Sequence, residues 1–373
     1  MALPICKVLV TGANGFIGKN LVLRLREQAD TKVLTFVRGQ DDAALRDALG
    51  QCDAVVHLAG ENRPVDVQAF ADVNTGLTER VCQGLRALGK TIPLILASSA
   101  QAELDNPYGR SKLAAEQVVQ ALASDHGNPV AIYRLPGVFG KWCKPNYNSV
   151  VATFCHNKAH DLPVQIDDAN ARVRLVYADD VLTAMLGQLA AAWTGVARPT
   201  IEPEYTITLG ELSSQIDAFK NCRSTLVSER VGTGLTRALY ATYVSYLPFE
   251  KFAYNVPAHG DARGVFVEML KTPDTGQFSF FTAHPGITRG GHYHHTKTEK
   301  FLVIRGHARF GFRHMLTDEL HYLETKGEQL KIVETVPGWT HDITNIGTEE
   351  MVVMLWANEI FDRANPDTIA SKV

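Results

Sequence analysis

The turn Thr11-Gly12-Ala13-Asn14-Gly15-Phe16-Ile17-Gly18 constrains the fold of this chain more than any other segment. An apolar run from Ile5 to Val10 precedes it without polar alternation, as in a central parallel strand buried on both faces. An amphipathic helix through Leu21 and Leu25 follows. Glycines at this point allow a tight turn, a close backbone approach to a pyrophosphate, and packing of helix on strand. The segment predicts a dinucleotide-binding turn, although three glycines alone also fit an ordinary β-α turn.

The helix that follows the turn begins where free N–H groups and a positive dipole end can bind phosphate. We therefore predict that the turn and the first helical residues hold the pyrophosphate of the cofactor. The residues given this role are Gly12, Asn14, Gly15, Phe16, Ile17 and Gly18.

Further strand-like segments alternate with helical stretches along the first part of the chain. They cover residues 32–37, 54–58, 93–97 and 130–135. This β-α-β-α order predicts a Rossmann-type α/β fold, in which a doubly wound parallel sheet carries helices on both faces.

Arg38 is the residue that bears on the choice of cofactor, because it follows the second strand in Val37-Arg38-Gly39. An acidic residue there would bind the adenosine ribose 2′-hydroxyl, whereas arginine suits a 2′-phosphate. Arg38 thus favours NADPH over NADH. The alternative is an ordinary solvated arginine.

Tyr108 and Lys112 are the candidate catalytic pair of this domain. Their i, i+4 spacing places both side chains on one helix face. Because free tyrosine titrates at about pH 10, proton donation near neutrality needs a cation that favours the phenolate, and lysine supplies it. A strand ending in Ser98-Ser99 precedes the pair, and Ser99 is the preferred third residue because the loop departs directly after it.

Two other tyrosine and lysine pairs have the same spacing, Tyr293 with Lys297 and Tyr322 with Lys326. Both lie in the histidine-rich end of the chain. We expect these tyrosines to be ordinary strand residues.

These motifs resemble the extended short-chain dehydrogenase/reductase family over roughly residues 5–245. Besides the glycine turn and the Tyr108 to Lys112 segment, the resemblance rests on His57-Leu58-Ala59-Gly60, Ala97-Ser98-Ser99, and Arg134-Leu135-Pro136-Gly137-Val138-Phe139-Gly140. The stretch Tyr177-Ala178-Asp179-Asp180-Val181 also matches the start of a late helix in members that act on nucleotide sugars. The resemblance implies catalysis by Ser99, Tyr108 and Lys112. It adds Leu58, Ala59 and Gly60, with Tyr108 and Lys112, to the residues that contact NADPH.

The chemistry of the chain changes toward its C-terminal third. Nine of the 13 histidines fall after position 258, and no cysteine falls after Cys222. A helical pattern over residues 235–246 gives way to Pro248, Pro257 and Gly260, and short alternating segments such as Phe278–Phe281 and Phe301–Ile304 follow. We therefore predict an NADP-binding domain over residues 1–245 and an all-β domain over residues 246–373.

A metal-ligand pattern lies in the second domain. Residues i and i+2 of a strand share a face, so His292 and His294 point to one interior. Glu299 can arrive from the next strand, and His341 follows later in Pro337-Gly338-Trp339-Thr340-His341. Three imidazoles and one carboxylate suit a divalent ion, with zinc favoured and iron, manganese or nickel open.

The two metal-ligand stretches resemble the cupin motifs. Gly286 to Gly306 fits the first motif completely, and Pro337 to Asn345 fits the second, with a longer hairpin before it. Asp261-Ala262-Arg263-Gly264 and Arg289-Gly290-Gly291-His292 also look like the nucleotide-sugar 3,5-epimerases, in which the histidine acts as a base on a 4-keto sugar. The resemblance implies a cupin jelly roll, and here His292 is a candidate for either the base or a metal ligand.

A reductase fused to a sugar-type cupin resembles the bifunctional enzymes of bacterial capsule and O-antigen synthesis on the route to UDP-N-acetyl-L-fucosamine. The resemblance implies that the cupin epimerises C3 of a UDP-2-acetamido-2,6-dideoxy-4-hexulose. The reductase domain then reduces the C4 ketone with NADPH to UDP-2-acetamido-2,6-dideoxy-β-L-talose.

Three alternatives stay open at this point. One is an NAD-dependent nucleotide-sugar epimerase or dehydratase that keeps its cofactor. In a second, the cupin only senses sugar or drives oligomerisation. The third is a metal-dependent dioxygenase fused to an unrelated reductase.

Charge and cysteine usage bear on partners and compartment. A formal net charge of −3 gives no basic field for nucleic acid. No long apolar run predicts a membrane segment. Six scattered cysteines without a CxxC pair suit reduced thiols in a cytoplasm. We expect a cytoplasmic homodimer, since both families commonly dimerise.

Overall fold

The computed structural model describes residues 6–257, 259–261, 264–266, 270, 276–359 and 364–373. The chain divides into two compact units. The first comprises Met1–Phe139, Asn146–Ser149 and Val173–Thr206, and the second comprises Gly140–Pro145, Val150–Arg172 and Ile207–Val373. The second unit therefore includes residues 207–245 as well as the C-terminal third, and the boundary at 245/246 stays a prediction.

The secondary structure alternates between strands and helices up to residue 244 and is mainly β beyond it. The helices are α1 (Phe16–Arg26), α2 (Asp42–Gln51), α3 (Gln68–Phe70), α4 (Leu77–Ala87), α5 (Pro107–His126), α6 (Val150–Ala159), α7 (Ala178–Ala190), α8 (Leu209–Thr225) and α9 (Gly234–Val244). The strands are β1 (Lys7–Thr11), β2 (Lys32–Phe36), β3 (Ala54–His57), β4 (Leu94–Ser99), β5 (Val130–Leu135), β6 (Gly137–Phe139), β7 (Arg172–Tyr177), β8 (Val196–Ala197), β9 (Tyr205–Thr208), β10 (Ala253–Asn255), β11 (His259–Asp261), β12 (Gly264–Phe266), β13 (Gln277–Ala283), β14 (Thr288–Tyr293), β15 (Glu299–Arg305), β16 (His307–His314), β17 (Leu320–Lys326), β18 (Lys331–Glu334), β19 (Trp339–Asn345), β20 (Met351–Ala357) and β21 (Ile369–Ala370).

A six-stranded parallel sheet forms the centre of the first unit. Its strand order is β2-β1-β3-β4-β5-β8. The order reverses between β1 and β3, and in such sheets ligands bind at the carboxyl ends of the strands beside that switch point. The glycine turn follows β1 and the HLAG segment begins at the end of β3, so the fold places both at this point.

Alternate residues of β1 enter different hydrophobic cores, because successive side chains of a strand point to opposite faces. Val8 and Val10 pack with α1 and α7, whereas Leu9 packs with α2, α4 and α5. Helices therefore cover both faces of the sheet, and the predicted doubly wound architecture is confirmed.

Two five-stranded antiparallel sheets lie in the second unit. Their orders are β10-β18-β15-β20-β13 and β17-β16-β19-β14-β21. Phe301 of the first sheet and Phe310 of the second lie with ring centroids 5.7 Å apart, so the inner faces share a core. The predicted all-β architecture of the C-terminal third is confirmed.

A buried ionic group joins α8 and α9 to the first of these sheets. The ammonium of Lys300 contacts the carboxylate of Glu334, and both side chains are almost fully buried. Arg223 of α8 lies 3.1 Å from the same carboxylate, and the Tyr240 hydroxyl of α9 lies 3.5 Å from it. Since a buried charge is costly unless it is paired, this group ties the two helices to the sheet.

Most predicted elements agree with the observed bounds to within one or two residues. Residues 130–135 form β5 as predicted, and α7 begins at Ala178 within the predicted late-helix stretch. Tyr293 and Tyr322 lie on β14 and β17, which confirms that they are strand residues. No helix in the described part of the chain is both long and apolar enough to cross a bilayer.

Candidate active sites

The glycine turn after β1 contains two positions at which a side chain would collide with neighbouring backbone. Gly12 has φ +68°, and a Cβ on it would lie 2.7 Å from backbone atoms of Ala59. A Cβ on Gly18 would lie 2.8 Å from the Cα of Ala13. Gly15 caps α1 without a side chain, so the helix presents its first N–H groups at the turn. These features fit the phosphates of a dinucleotide at the helix start.

Helix α5 positions the tyrosine and lysine predicted to be catalytic. The side chain of Asn106 caps this helix by accepting a hydrogen bond from the N–H of Gly109 at 2.8 Å, and Pro107 occupies its first position. Tyr108 and Lys112 then lie on one face, with the lysine Nζ 5.9 Å from the centre of the tyrosine ring. The ammonium donates to the carbonyl oxygen of Ala97 at 3.3 Å, near the end of β4.

The two serines at the end of β4 have different partners. Ser98 donates its hydroxyl to the buried carboxylate of Glu116 at 2.6 Å, and Arg134 binds the same carboxylate through two contacts of 2.8 Å. Ser99 instead forms a hydrogen bond with Tyr108. Burial raises the pKa of the Tyr108 phenol above its ordinary value, and the hydrogen bond with Ser99 opposes that shift. The structure thus brings Ser99, Tyr108 and Lys112 together and commits Ser98 to an ionic group.

Burial changes the titration of the residues around this tyrosine. Loss of solvent lowers the pKa of Lys112 to about 8, and the charge of Glu116 opposes that shift. Burial, together with the nearby charge of Lys112, lowers the pKa of His57 to about 3. His57 is therefore a neutral residue that hydrogen-bonds Thr11 at 2.6 Å and Thr78 at 2.9 Å.

Asn74 is a site residue that the sequence analysis missed. It lies in a π-helical segment, Ala71–Gly76, a rare conformation often found at functional sites. Its amide bonds both backbone groups of Glu61, at 2.9 and 3.1 Å, and donates to the Ser111 hydroxyl at 3.0 Å. Asn74 thus links the HLAG segment to α5, and a Cβ on Gly60 would collide with it at 2.9 Å.

Arg38 lies just after β2, as predicted, and 83% of its side chain is exposed. Its guanidinium donates to the carboxylate of Glu61 at 2.7 Å, and the Tyr147 hydroxyl donates to the same carboxylate at 3.1 Å. Burial raises the pKa of Glu61, but these hydrogen bonds outweigh it, and the pKa lies below its ordinary value. Glu61 is a second residue that the sequence analysis missed.

The four predicted metal ligands of the second unit converge. One donor atom from each of His292, His294, Glu299 and His341 lies within 4.8 Å of the others. The Nε2 atoms of His294 and His341 lie 3.1 and 3.4 Å from one carboxylate oxygen of Glu299. His294 lies one residue beyond β14, and a bulge between Gly290 and His292 turns the strand toward the cluster.

The chemistry of this donor set fits a divalent transition metal. His294, Glu299 and His341 are each at most 5% exposed, whereas His292 is half-buried. Burial and the neighbouring histidines lower the pKa of His292 to about 3, so its imidazole is neutral and able to ligate. Burial raises the pKa of Glu299, but the adjacent imidazoles of His294 and His341 outweigh it and hold the pKa well below its usual range.

Lys297 and Asp367 lie beside this cluster, and neither was predicted to be part of it. The Lys297 ammonium lies 3.1 Å from the second carboxylate oxygen of Glu299. The backbone carbonyl of Asp367 accepts a hydrogen bond from Nδ1 of His294. The other epimerase-like motif, Asp261 to Gly264, includes Ala262 and Arg263, which lie outside the described residues.

Comparison with known families assigns both parts of the chain. Residues 8–199 match the NAD dependent epimerase/dehydratase family, and residues 259–369 match the polysaccharide biosynthesis C-terminal domain. The first match spans more than half of the chain. The protein belongs to the NAD dependent epimerase/dehydratase family.

Individual relatives extend the likeness over nearly the whole chain. UDP-2-acetamido-2,6-beta-L-arabino-hexul-4-ose reductase from Pseudomonas aeruginosa is 56% identical over 98% of this chain and 99% of its own length. The crystal structure of the capsular polysaccharide assembling protein CapF from Staphylococcus aureus is similar at a TM-score of 0.66 and 39% identity, covering 98% of this chain and 100% of that one. MoeE5 in complex with UDP-glucose and NAD shares the fold alone, at 21% identity and a TM-score of 0.55, over 64% of this chain and 98% of its own.

Proposed function

We propose that this protein is a bifunctional nucleotide-sugar enzyme that acts on a UDP-2-acetamido-2,6-dideoxy-4-hexulose. One site epimerises C3, and the other reduces the C4 ketone with NADPH to give UDP-2-acetamido-2,6-dideoxy-β-L-talose. The product lies on the route to UDP-N-acetyl-L-fucosamine for capsule or O-antigen. The relative from Pseudomonas aeruginosa, named as a reductase of such a 4-keto sugar, supports the substrate class.

One observation carries the proposal: a single chain holds both a Ser-Tyr-Lys group and a cluster of three histidines and a glutamate. The first group suits reduction of a ketone, and the second suits a reaction through an enolate. A ketone at C4 makes the proton at C3 acidic, so the same functional group serves both reactions. Having both sites on one chain also raises the local concentration of a labile intermediate.

In the reductase site the residues of the chain donate one proton and bind one substrate oxygen. When NADPH is bound, it supplies the hydride that is added to C4. Tyr108 holds the proton that moves from its hydroxyl to the C4 oxygen, and Ser99 holds that oxygen by a hydrogen bond. Lys112, buried beside the tyrosine, favours the phenolate that remains.

We assign the cofactor contacts to the glycine turn, to the Leu58-Ala59-Gly60 segment, and to Arg38. Gly12 allows the turn to pack against Ala59, and Gly18 allows the helix to pack against the turn. This close packing leaves backbone N–H groups for the pyrophosphate. Arg38, highly exposed at the end of β2, is placed to bind a 2′-phosphate, which supports NADPH.

In the second site the residues of the chain control the charge that forms when C3 loses its proton. His292, His294, Glu299 and His341 would hold one divalent ion, for which zinc is the best fit to the ligand set. When bound, such an ion supplies a Lewis acid for the enolate oxygen. His292 is the most exposed of the four, so it faces the side from which substrate approaches.

The remaining assignments concern the fold of the second domain, the oligomeric state and the compartment. We propose that the two antiparallel sheets form a cupin jelly roll, since their ligands come from β14, β15 and β19 on one interior. We further propose a homodimer in the cytoplasm. Free cysteines and dependence on a UDP-sugar and NADPH support that compartment.

Solvent exchange tests the proposal directly. The protein is incubated with the UDP-linked 4-keto sugar in heavy water, with and without NADPH, and the sugar is analysed by NMR. We expect deuterium at C3 without NADPH, and a reduced talose product carrying that deuterium when NADPH is added. Reduction without exchange at C3 would mean that the protein is a reductase without epimerase activity. Exchange without reduction would refute the role of the first site.

A further inference from the structure

The segment from Asp367 to Ser371 is far from the metal-ligand cluster in sequence but adjacent to it in space. Ile369 and Ala370 form β21, which pairs antiparallel with His292 and Tyr293 of β14. The N–H of Ser371 continues this pairing by donating to the carbonyl of Gly291 at 2.9 Å. Without β21, the ligand-bearing strand β14 would be the edge of its sheet.

The carboxylate of Asp367 organises the turn between two metal ligands. The N–H groups of His295, Thr296 and Lys297 all donate to it, at distances of 2.9, 2.7 and 2.8 Å. The Thr296 hydroxyl adds a fourth hydrogen bond at 3.0 Å. These residues join His294 to Glu299, so this one side chain fixes the loop that sets the separation of both ligands.

The backbone carbonyl of Asp367 acts on His294 itself. It accepts a hydrogen bond from Nδ1, so that Nε2 is the nitrogen on the side where the ligands converge, 3.1 Å from Glu299. Outer hydrogen bonds of this kind fix the tautomer and orientation of a ligating histidine.

We propose that Asp367 is a positioning residue of the metal centre: its carboxylate fixes the 295–297 turn, and its carbonyl orients the His294 ring so that Nε2 faces the other ligands. This inference rests on the proposed function of the second site, since it assigns the cluster to a metal. Asp367 itself contacts neither the ion nor the substrate. It acts through the geometry of His294 and Glu299.

The test compares zinc affinity in the full-length chain, by competition with a chelator, for the unmodified protein, Asp367→Asn and Asp367→Ala. Loss of an outer partner typically weakens metal binding by about 10- to 100-fold, so we expect that loss for alanine and a smaller one for asparagine, which keeps one acceptor. Ser371→Ala is the matched control. It removes side-chain contacts of the same segment with Arg313 and Thr340 but leaves His294 untouched, and its affinity should stay within about threefold.

A second measurement reads the turn without any metal. In the metal-free protein the amide protons of His295, Thr296 and Lys297 should exchange with solvent faster in Asp367→Ala, which lacks their acceptor, and at an unchanged rate in Ser371→Ala. Unchanged zinc affinity and unchanged exchange of these amides in folded Asp367→Ala protein would overturn the proposal. An equal loss of affinity in Ser371→Ala would reduce Asp367 to a general stabiliser and also overturn it.

These outcomes are separate from those of the proposed function. If zinc binds and depends on Asp367, but deuterium does not enter C3, the positioning role holds and the epimerase assignment fails. If C3 exchange occurs and Asp367→Ala keeps full zinc affinity, the epimerase assignment holds and the positioning role fails.

Discussion

The guanidinium of Arg38 and the carboxylate of Glu61 form a salt bridge of 2.7 Å at the carboxyl edge of the parallel sheet. The residue predicted to bind a 2′-phosphate thus already has an anionic partner, which comes from the segment directly after HLAG. A 2′-phosphate bound as proposed would share the guanidinium with this carboxylate or displace it. We therefore expect the pair, and not Arg38 alone, to set the cofactor preference.

Arg38→Ala should lower the affinity for NADPH by roughly ten- to a hundredfold, because a charge-assisted contact is worth about 1.5–3 kcal/mol. Affinity for NADH should change little, so the ratio of NADPH affinity to NADH affinity should fall. Glu61→Gln should raise this ratio by up to about fivefold, since an exposed salt bridge opposes displacement by at most about 1 kcal/mol. Titration of each cofactor checks both, and equal use of NADH and NADPH by the unmodified protein would contradict the assignment.

Tyr108→Phe should lower ketone reduction by about 10²- to 10⁴-fold, because the proton donor is lost. Deuterium exchange at C3 should continue, since the second site does not use this residue. Tyr322→Phe is the matched control: the residue has the same spacing to a lysine but lies exposed on β17, and reduction should be unaffected. Loss of C3 exchange in Tyr108→Phe would mean that the two reactions share one site.

Reduction should fall as the pH rises through about 8, the value to which burial lowers the pKa of Lys112. In the proposed mechanism the protonated lysine is the active form, and raising the pH removes that proton. Between pH 7 and pH 9 the protonated fraction, and with it kcat/KM, should drop about tenfold. A pH profile of kcat/KM that is flat across this range would show that the charge of Lys112 is not required.

The double variant His294→Ala/His341→Ala should bind no divalent ion, whereas the unmodified chain should bind one. If the ion acts as a Lewis acid, C3 exchange should fall sharply in a domain that stays folded, and Tyr108-dependent reduction should persist. If the ion is structural, the melting temperature of the C-terminal domain should fall, and C3 exchange should be lost only as that domain unfolds. Metal content, melting temperature and exchange are measured on one sample, with His284→Ala/His307→Ala as a control outside the cluster.

Full C3 exchange in the folded, metal-free double variant would contradict both roles. The ligand set would then be a remnant, and the base would act without an ion.

The fragment 207–373 should be more stable than the fragment 246–373. The shorter one lacks Arg223 and Tyr240, which pair with the buried carboxylate of Glu334 beside Lys300. Removing a partner from a buried ionic group costs about 3–5 kcal/mol. Thermal melting of the two fragments checks this, and equal stability would support a domain boundary at 246.

The sequence alone was sufficient for the α/β class of the first part and the all-β class of the C-terminal third, because the signals involved are local. The glycine turn, the alternation of strands and helices, and the tyrosine and lysine four residues apart each lie within one or two neighbouring elements. The cluster of His292, His294, Glu299 and His341 could also be predicted, since three of its members lie within eight positions and the fourth has its own motif. The catalytic and ligating roles of these residues stay predictions.

Other parts of both sites depend on contacts that no local pattern encodes. Glu61 lies 23 positions from Arg38, and Asp367 lies 73 positions from His294. A single acid or amide at such a distance has no periodicity to reveal it, because its partner is set by how strands and loops pack. The π-helical turn around Asn74 is likewise invisible in the sequence. The sequence by itself therefore determined which residues are candidates for each site, and the tertiary structure decided which other residues contact and orient them.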